Sequence, residues 1–177
     1  MAYPSRISAD SVLRAAIEIV EKYGVSALGM RPVAERLGVK AASLYKHCDS
    51  LESLRALVAD YAVRHLTEQL TFGISQTRLN AGSARLAALM WSYALWAEEN
   101  PGLYDTIPVG QTAANPLWML IREEIGLATG RPNDDGAALA VWSFLHGHVL
   151  LARGPLANGS SGADAMERGM VALLRGL

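Results

Sequence analysis

The chain has 177 residues, 51% of them hydrophobic, so it can fill a real core, and its formal net charge is −1. That balance excludes a protein that binds polyanions over its whole surface, and a single cysteine, Cys48, excludes an internal disulfide framework and points to a reducing, cytoplasmic setting. The N-terminal Met1-Ala2-Tyr3-Pro4-Ser5-Arg6 has no apolar stretch after its charge and does not read as a signal peptide, and the most apolar run, Ala137 to Ala152, is interrupted by Ser143, His146, Gly147 and His148 and is short for a membrane span.

Helical spacing recurs along the chain, and no alternating strand pattern of useful length is present. A first helix opens at Ser8 as N-cap, carries Leu13, Ala16, Ile17 and Val20 on one face, and ends at Gly24. A second, short helix carries Met30, Val33, Ala34 and Leu37, with Pro32 in its first turn, where no intrahelical N–H partner is lost. Gly38 breaks it, and a third short helix spans about Ala41 to His47. Asp49 or Ser50 caps a fourth, with Leu51, Leu54, Val58, Tyr61 and Ala62, which reaches toward Leu70.

The stretch Thr71 to Gly82 lacks sustained periodicity and reads as a boundary. It divides the chain into 1–70 and 71–177. Beyond it the spacing predicts a helix over Ala84 to Glu99, stopped by Pro101, with Gly102 to Ile107 as one loose turn. Asn115-Pro116 opens a helix to about Thr129, Asp134 or Asp135 opens the next, and Gly154-Pro155 closes it. Leu156 to Gly162 reads as small, polar and flexible, and a last helix runs from about Ala163 to Arg175. The expected class is all-α: an N-terminal three-helix unit and a C-terminal helical domain.

Charge is unevenly placed. Residues 1–60 hold eight Lys/Arg against seven Asp/Glu, and within 30–47 Arg31, Arg36, Lys40 and Lys46 face only Glu35. Such a patch suits an anionic partner touching one small face, although charges alone read equally well as ordinary solvated surface. The turn Leu37-Gly38-Val39-Lys40 adds what charge lacks. Two short helices joined by a tight Gly-containing turn are what a helix-turn-helix requires, and an ordinary αα-corner is the plain alternative. In the first case Ala41, Ala42, Ser43 and Lys46 reach toward bases, Tyr45 and His47 toward phosphates, and Leu44 and Cys48 face inward.

The residue strings tip the balance. Ala15-Ala16 with Tyr23-Gly24, Met30-Arg31-Pro32-Val33-Ala34, Leu37-Gly38-Val39, Ser43-Leu44-Tyr45-Lys46-His47 and Leu54 together resemble the DNA-binding domain of the TetR family of bacterial regulators, over Ala9 to Tyr61. The resemblance implies a helix-turn-helix in which Arg31 contacts a base or phosphate. It places Ala41 and Ala42 where base-reading side chains lie, and Ser43, Tyr45 and His47 where phosphate contacts lie. Direct readout then rests mainly on Arg31, Lys40 and Lys46. Two positions depart from the pattern. Gly29 stands where a phosphate-binding Ser/Thr cap is usual, and Leu51 where a phosphate-binding Lys is usual.

Val141-Trp142-Ser143-Phe144-Leu145-His146-Gly147, with Trp96 to Tyr104, resembles the regulatory domain of one TetR subgroup that carries a Trp…His-Gly signature in its penultimate helix. That helix is apolar nearly all round, and so is expected to be buried on several sides. Gly147 would let another helix approach closely. Leu145, Val149, Met166, Met170, Leu173 and Leu174 are the candidates for a two-fold dimer interface. Met90, Trp91, Tyr93, Trp96, Tyr104, Trp118, Met119, Trp142 and Phe144 are candidates to line a cavity, and His146 reads as a hydrogen-bonded core histidine or as a polar group in that cavity. Large residues at helical spacing serve equally well as plain core. The resemblance implies that some line an effector site, and Trp91, Trp96, Tyr104, Trp118, Trp142 and His146 are taken as its residues.

Catalysis finds little material. Glu98-Glu99 and Glu123-Glu124 are adjacent pairs that do not face each other, and His146 and His148 point to different faces. No nucleophile–base pair or phosphate loop is present, and Cys48 reads as a buried thiol. The expectation is a DNA-binding regulator, a repressor released from a palindromic operator by a small apolar or amphipathic effector. It acts as a homodimer, without cofactor, metal or membrane. The alternatives are a constitutive DNA-binding protein and, less well supported, an all-helical enzyme or carrier.

Overall fold

A computed structural model describes residues 7–77, 82–107, 115–154 and 162–177. The N-terminal hexapeptide, part of the 71–82 boundary and most of the 156–162 stretch lie outside the described residues. Every regular element among those described is helical: α1 Ala9–Tyr23, α2 Met30–Leu37, α3 Leu51–Ser75, α4 Gly82–Glu99, α5 Pro101–Tyr104, α6 Pro116–Thr129, α7 Asp135–Ala152 and α8 Gly162–Gly176, with short 3-10 helices at Val25–Ala27 and Ala41–Lys46.

The caps follow from local chemistry. Ser8 accepts from Ser11 N–H at 3.1 Å while Ser11 Oγ accepts from Ser8 N–H at 2.9 Å, a reciprocal capping box. Ser50 and Ser53 repeat the arrangement at the start of α3, at 3.0 and 2.9 Å. Asn115 caps α6 through Leu117 N–H at 2.8 Å, and Asp134 caps α7 through Ala137 N–H at 2.9 Å. Each satisfies a backbone donor that has no partner inside its helix.

The described residues form two units. The first holds the chain up to Val63 together with the segment that begins at Asn100, and the second holds Arg64–Glu99 and the chain from Gly110 onward. α3 runs from one into the other and continues past residue 70 to Ser75. Within Gly102 to Ile107, expected as one loose turn, the first three residues belong to the single helical turn α5 and residues 105–107 are turn and bend; Leu103, Tyr104 and Ile107 are buried in the first unit, where α5 packs on α1. With neighbours in both α2 and α5, α1 buries a wider face than its single stripe suggested: Val12, Ala15, Ala16, Ile19 and Val20, leaving Leu13 and Ile17 half-buried.

In the second unit α4 packs on α6 and α7, and α8 docks on α7. Gly169 of α8 lies against the Phe144 ring so closely that a Cβ there would fall 2.1 Å from it. Glu124 of α6, the one buried charge among the described residues, receives a two-point grip from Arg85 of α4, with Arg85 Nε 2.9 Å from Oε2. A carboxylate removed from water needs such a fork to offset its desolvation.

Candidate nucleic-acid interface and aromatic cluster

The helix-turn-helix is closed by backbone chemistry. Gly38 takes φ 69°, ψ 29°. Its N–H bonds the Glu35 carbonyl at 3.1 Å, and Val39 N–H bonds the Ala34 carbonyl at 3.0 Å. This Schellman closure needs a left-handed residue, which glycine adopts without steric cost. The chain then leaves α2 at a defined angle and enters the 41–46 segment.

That segment is a 3-10 helix rather than an α-helix, with Ser43 N–H on the Lys40 carbonyl at 2.9 Å and His47 N–H on that of Leu44 at 2.8 Å. This winding sorts the expected contact residues. Leu44 is fully buried, and Cys48 is buried with its Sγ 3.8 Å from Met30 Sδ. Burial pushes the Cys48 thiol pKa up, so it stays protonated and packs as a small hydrophobe. Lys40, Ala42, Tyr45 and Lys46 are exposed, while Ala41, Ser43 and His47 are half-buried. Arg31 is exposed but tied to Glu35, Nε to Oε1 at 2.7 Å, and Arg36 pairs with Glu18 of α1. Gly29 precedes α2 with no side-chain cap bond, as its lack of a hydroxyl requires, and Leu51 is half-buried at the start of α3. Of the eight sequence-derived DNA candidates, five are therefore outward side chains, one of them engaged by a neighbour.

A scan against family models matches residues 12–57 to the bacterial regulatory proteins of the tetR family. An uncharacterized HTH-type transcriptional regulator of Mycobacterium tuberculosis is 31% identical over 172 aligned residues, covering 85% of this chain and 72% of that protein. The chain belongs to the TetR family. Membership makes it a DNA-binding transcriptional regulator and not an enzyme. The class A tetracycline repressor protein of Escherichia coli is 30% identical, over 93% of this chain and 73% of the repressor. A solved structure of a Rhodococcus protein of unknown function superposes with a TM-score of 0.84 over 99% of both chains at 23% identity, a likeness of fold.

The TetR-type second unit treats the six effector candidates unequally. Three converge. Trp142 meets His146 edge-on with ring centroids 4.6 Å apart, and Trp118 meets Trp142 at 6.3 Å. Tyr93 joins them, its hydroxyl 3.3 Å from the His146 ring nitrogens. Burial lowers the His146 pKa, which keeps the imidazole neutral. Trp96 stands apart, donating from Nε1 to His65 Nδ1 at 3.1 Å, and Trp91 is exposed. Tyr104 is buried in the first unit, where α5 docks on α1, and does not join the cluster.

The interface candidates are mostly inward in the single chain. Leu145, Val149, Met166 and Met170 are buried in the chain's own core, and Leu173 and Leu174 are half-buried. Packing of α4, α6 and α8 around α7 claims those side chains. The large apolar residues left outward on α7 are Leu139, Leu150 and Leu151, each more than half exposed, and a Cβ at Gly147 would meet nothing within 4 Å.

Sequence reasoning missed an open groove of about 490 Å³ lined by Arg64, Thr67, Glu68, Thr71, Phe72 and Ser75 of α3 and by Pro116. None of the six effector candidates lines it. Its one large apolar signal, Phe72, stands alone on a polar helix face, so no periodicity announced it. Among the described residues no helix is long and apolar enough to cross a membrane, and no group of three or more His, Cys, Asp or Glu side chains is placed to hold a metal ion.

Proposed function

We propose that the chain is a ligand-responsive repressor that binds a palindromic operator as a homodimer and leaves it when a small apolar or amphipathic effector binds. The observation that carries this reading is the outward set Lys40, Ala42, Tyr45 and Lys46 on a segment whose Leu44 and Cys48 are sunk in the core. A projecting element of this size fits a major groove. In this reading Lys46 and Lys40 meet phosphate or base edges, Arg31 does so on leaving Glu35, and Tyr45 and His47 hold phosphates. Ala41, Ala42 and Ser43 lie against the base edges.

The reading assigns 1–70 to DNA binding and 71–177 to effector binding and dimerisation, with α5 returning to the first unit. The effector contacts the Tyr93, Trp118, Trp142 and His146 cluster, whose rings and neutral imidazole suit an apolar or amphipathic molecule. The name of one relative, tetracycline repressor protein, joins repression to a small molecule. Placement in the subgroup with a Trp…His-Gly signature rests on Trp142, His146 and Gly147. The dimer forms through the outward face of α7, Leu139, Gly147, Leu150 and Leu151, and two-fold symmetry then matches two half-sites.

The test is selection of duplexes from a random-sequence pool. The expected product is an inverted repeat, bound more weakly by Lys46→Ala, whose affinity depends on salt with a slope shallower by about one. Failure to enrich any duplex at low salt would falsify the reading. One observation favours a constitutive DNA-binding protein instead: the cluster's ring spacings are those of a filled core. A thermal-shift screen of metabolites separates the two, because an effector that binds the native state raises Tm.

A further inference from the structure

α4 hands the chain back to the first unit at Asn100, and the piece that returns, α5, is four residues long. One turn of helix has no stability of its own, and Asn100 supplies no side-chain cap. α1 supplies it instead. Glu21 Oε2 accepts from Gly102 N–H at 3.2 Å, and Oε1 accepts from Leu103 N–H at 2.8 Å. Both bonds run from neutral amides to a carboxylate, the stronger kind. Gly102 also sits directly on the backbone of α1, where a Cβ would fall 2.4 Å from the Val20 carbonyl oxygen. Leu103 and Tyr104 are buried beside it.

We propose that Glu21 is a positioning residue for regulation: its carboxylate latches α5 to α1, so that the helix-turn-helix unit and the unit carrying the aromatic cluster sense each other through this joint. The inference rests on the regulator reading above. The seated carboxylate bridges two adjacent amides, and in this proposal its release is the second state of the joint. Coupling is reciprocal, so DNA bound at one unit must register at the other.

All four tryptophans, Trp91, Trp96, Trp118 and Trp142, belong to the second unit. Tryptophan emission therefore reports on that unit alone. A duplex selected by the wild type is titrated into wild type, Glu21→Ala and Glu21→Gln at constant salt. Wild-type emission is expected to change on binding. Glu21→Ala is expected to bind within about threefold of wild type and to lose most of that change. A purely structural role would lower Tm without separating affinity from emission. An emission change of wild-type size in Glu21→Ala overturns the proposal, as does a wild type that binds the duplex with no emission change. If Glu21→Ala does not fold, Glu21→Gln, which keeps the size but not the charge, decides on the same criterion. If the wild type enriches no duplex, the regulator reading falls by itself and hydrogen exchange decides the latch. Exchange of the Leu103 amide faster by about tenfold in the variant supports it, and unchanged exchange overturns it.

Discussion

His146 and His148 carry a pH dependence whose sign follows from their burial. Burial lowers both pKa values from the ordinary 6.5. The unfolded chain then binds protons more readily than the native one as pH falls through that value. Stability from these groups is fully present above pH about 6.5 and is lost below it. Melting temperature is expected to drop between pH of about 7.5 and 5.5, and His146→Gln, which keeps an acceptor for Tyr93 without titrating in this range, is expected to flatten the drop. An unchanged slope in the variant would locate the titration elsewhere. At the same scale, an arginine need not be available because it is exposed: Arg31 is held by Glu35 four residues on, although a fully solvated i,i+4 pair of this kind is weak. In the proposed reading, DNA phosphate competes with Glu35 for Arg31 at little cost.

Among the elements, the turn at Gly38 is the most sensitive. A Cβ there meets nothing within 4 Å, so the penalty for replacing it comes from its φ of 69° alone. Gly38→Val is expected to cost about 1–2 kcal/mol, read as a lower denaturation midpoint with an unchanged m-value. It also re-aims the 41–46 segment, so DNA affinity falls by more than the stability loss accounts for. A fall matching stability alone would show that the turn only supports the fold. The caps at Ser8 and Asn115 were legible because a cap is a contact over two or three residues, and those of α3 and α7 to within one residue, the structure choosing Ser50 over Asp49 and Asp134 over Asp135. The 3-10 winding of 41–46 was not, since the same six residues are compatible with either helix and only the seating of Leu44 and Cys48 selects one.

For the whole molecule, α7 separates core from the proposed interface. Leu139, Leu145 and Leu150 are the same residue type on one helix, yet Leu145 is fully buried and the other two are 57% and 62% exposed. The double variant Leu139→Arg/Leu150→Arg is expected to yield a folded monomer that no longer binds the palindrome, measured by light scattering and gel shift. Leu145→Ala is expected to remain dimeric and to lose about 3 kcal/mol of stability from the cavity it leaves. A dimer in the double variant would place the interface elsewhere.

The helical class, the positions of the caps and the helix-turn-helix with its inward Leu44 and Cys48 were determined by the sequence alone. Each depends on contacts within a turn or two, where spacing and side-chain type suffice. Tertiary structure decided which leucines of an all-round apolar helix are core, which aromatics meet, that Tyr104 serves the first unit, and that Glu21 holds amides 81 and 82 residues away. These are settled by which helices pack together, and a helix that is apolar on every side carries no local signal of its neighbours.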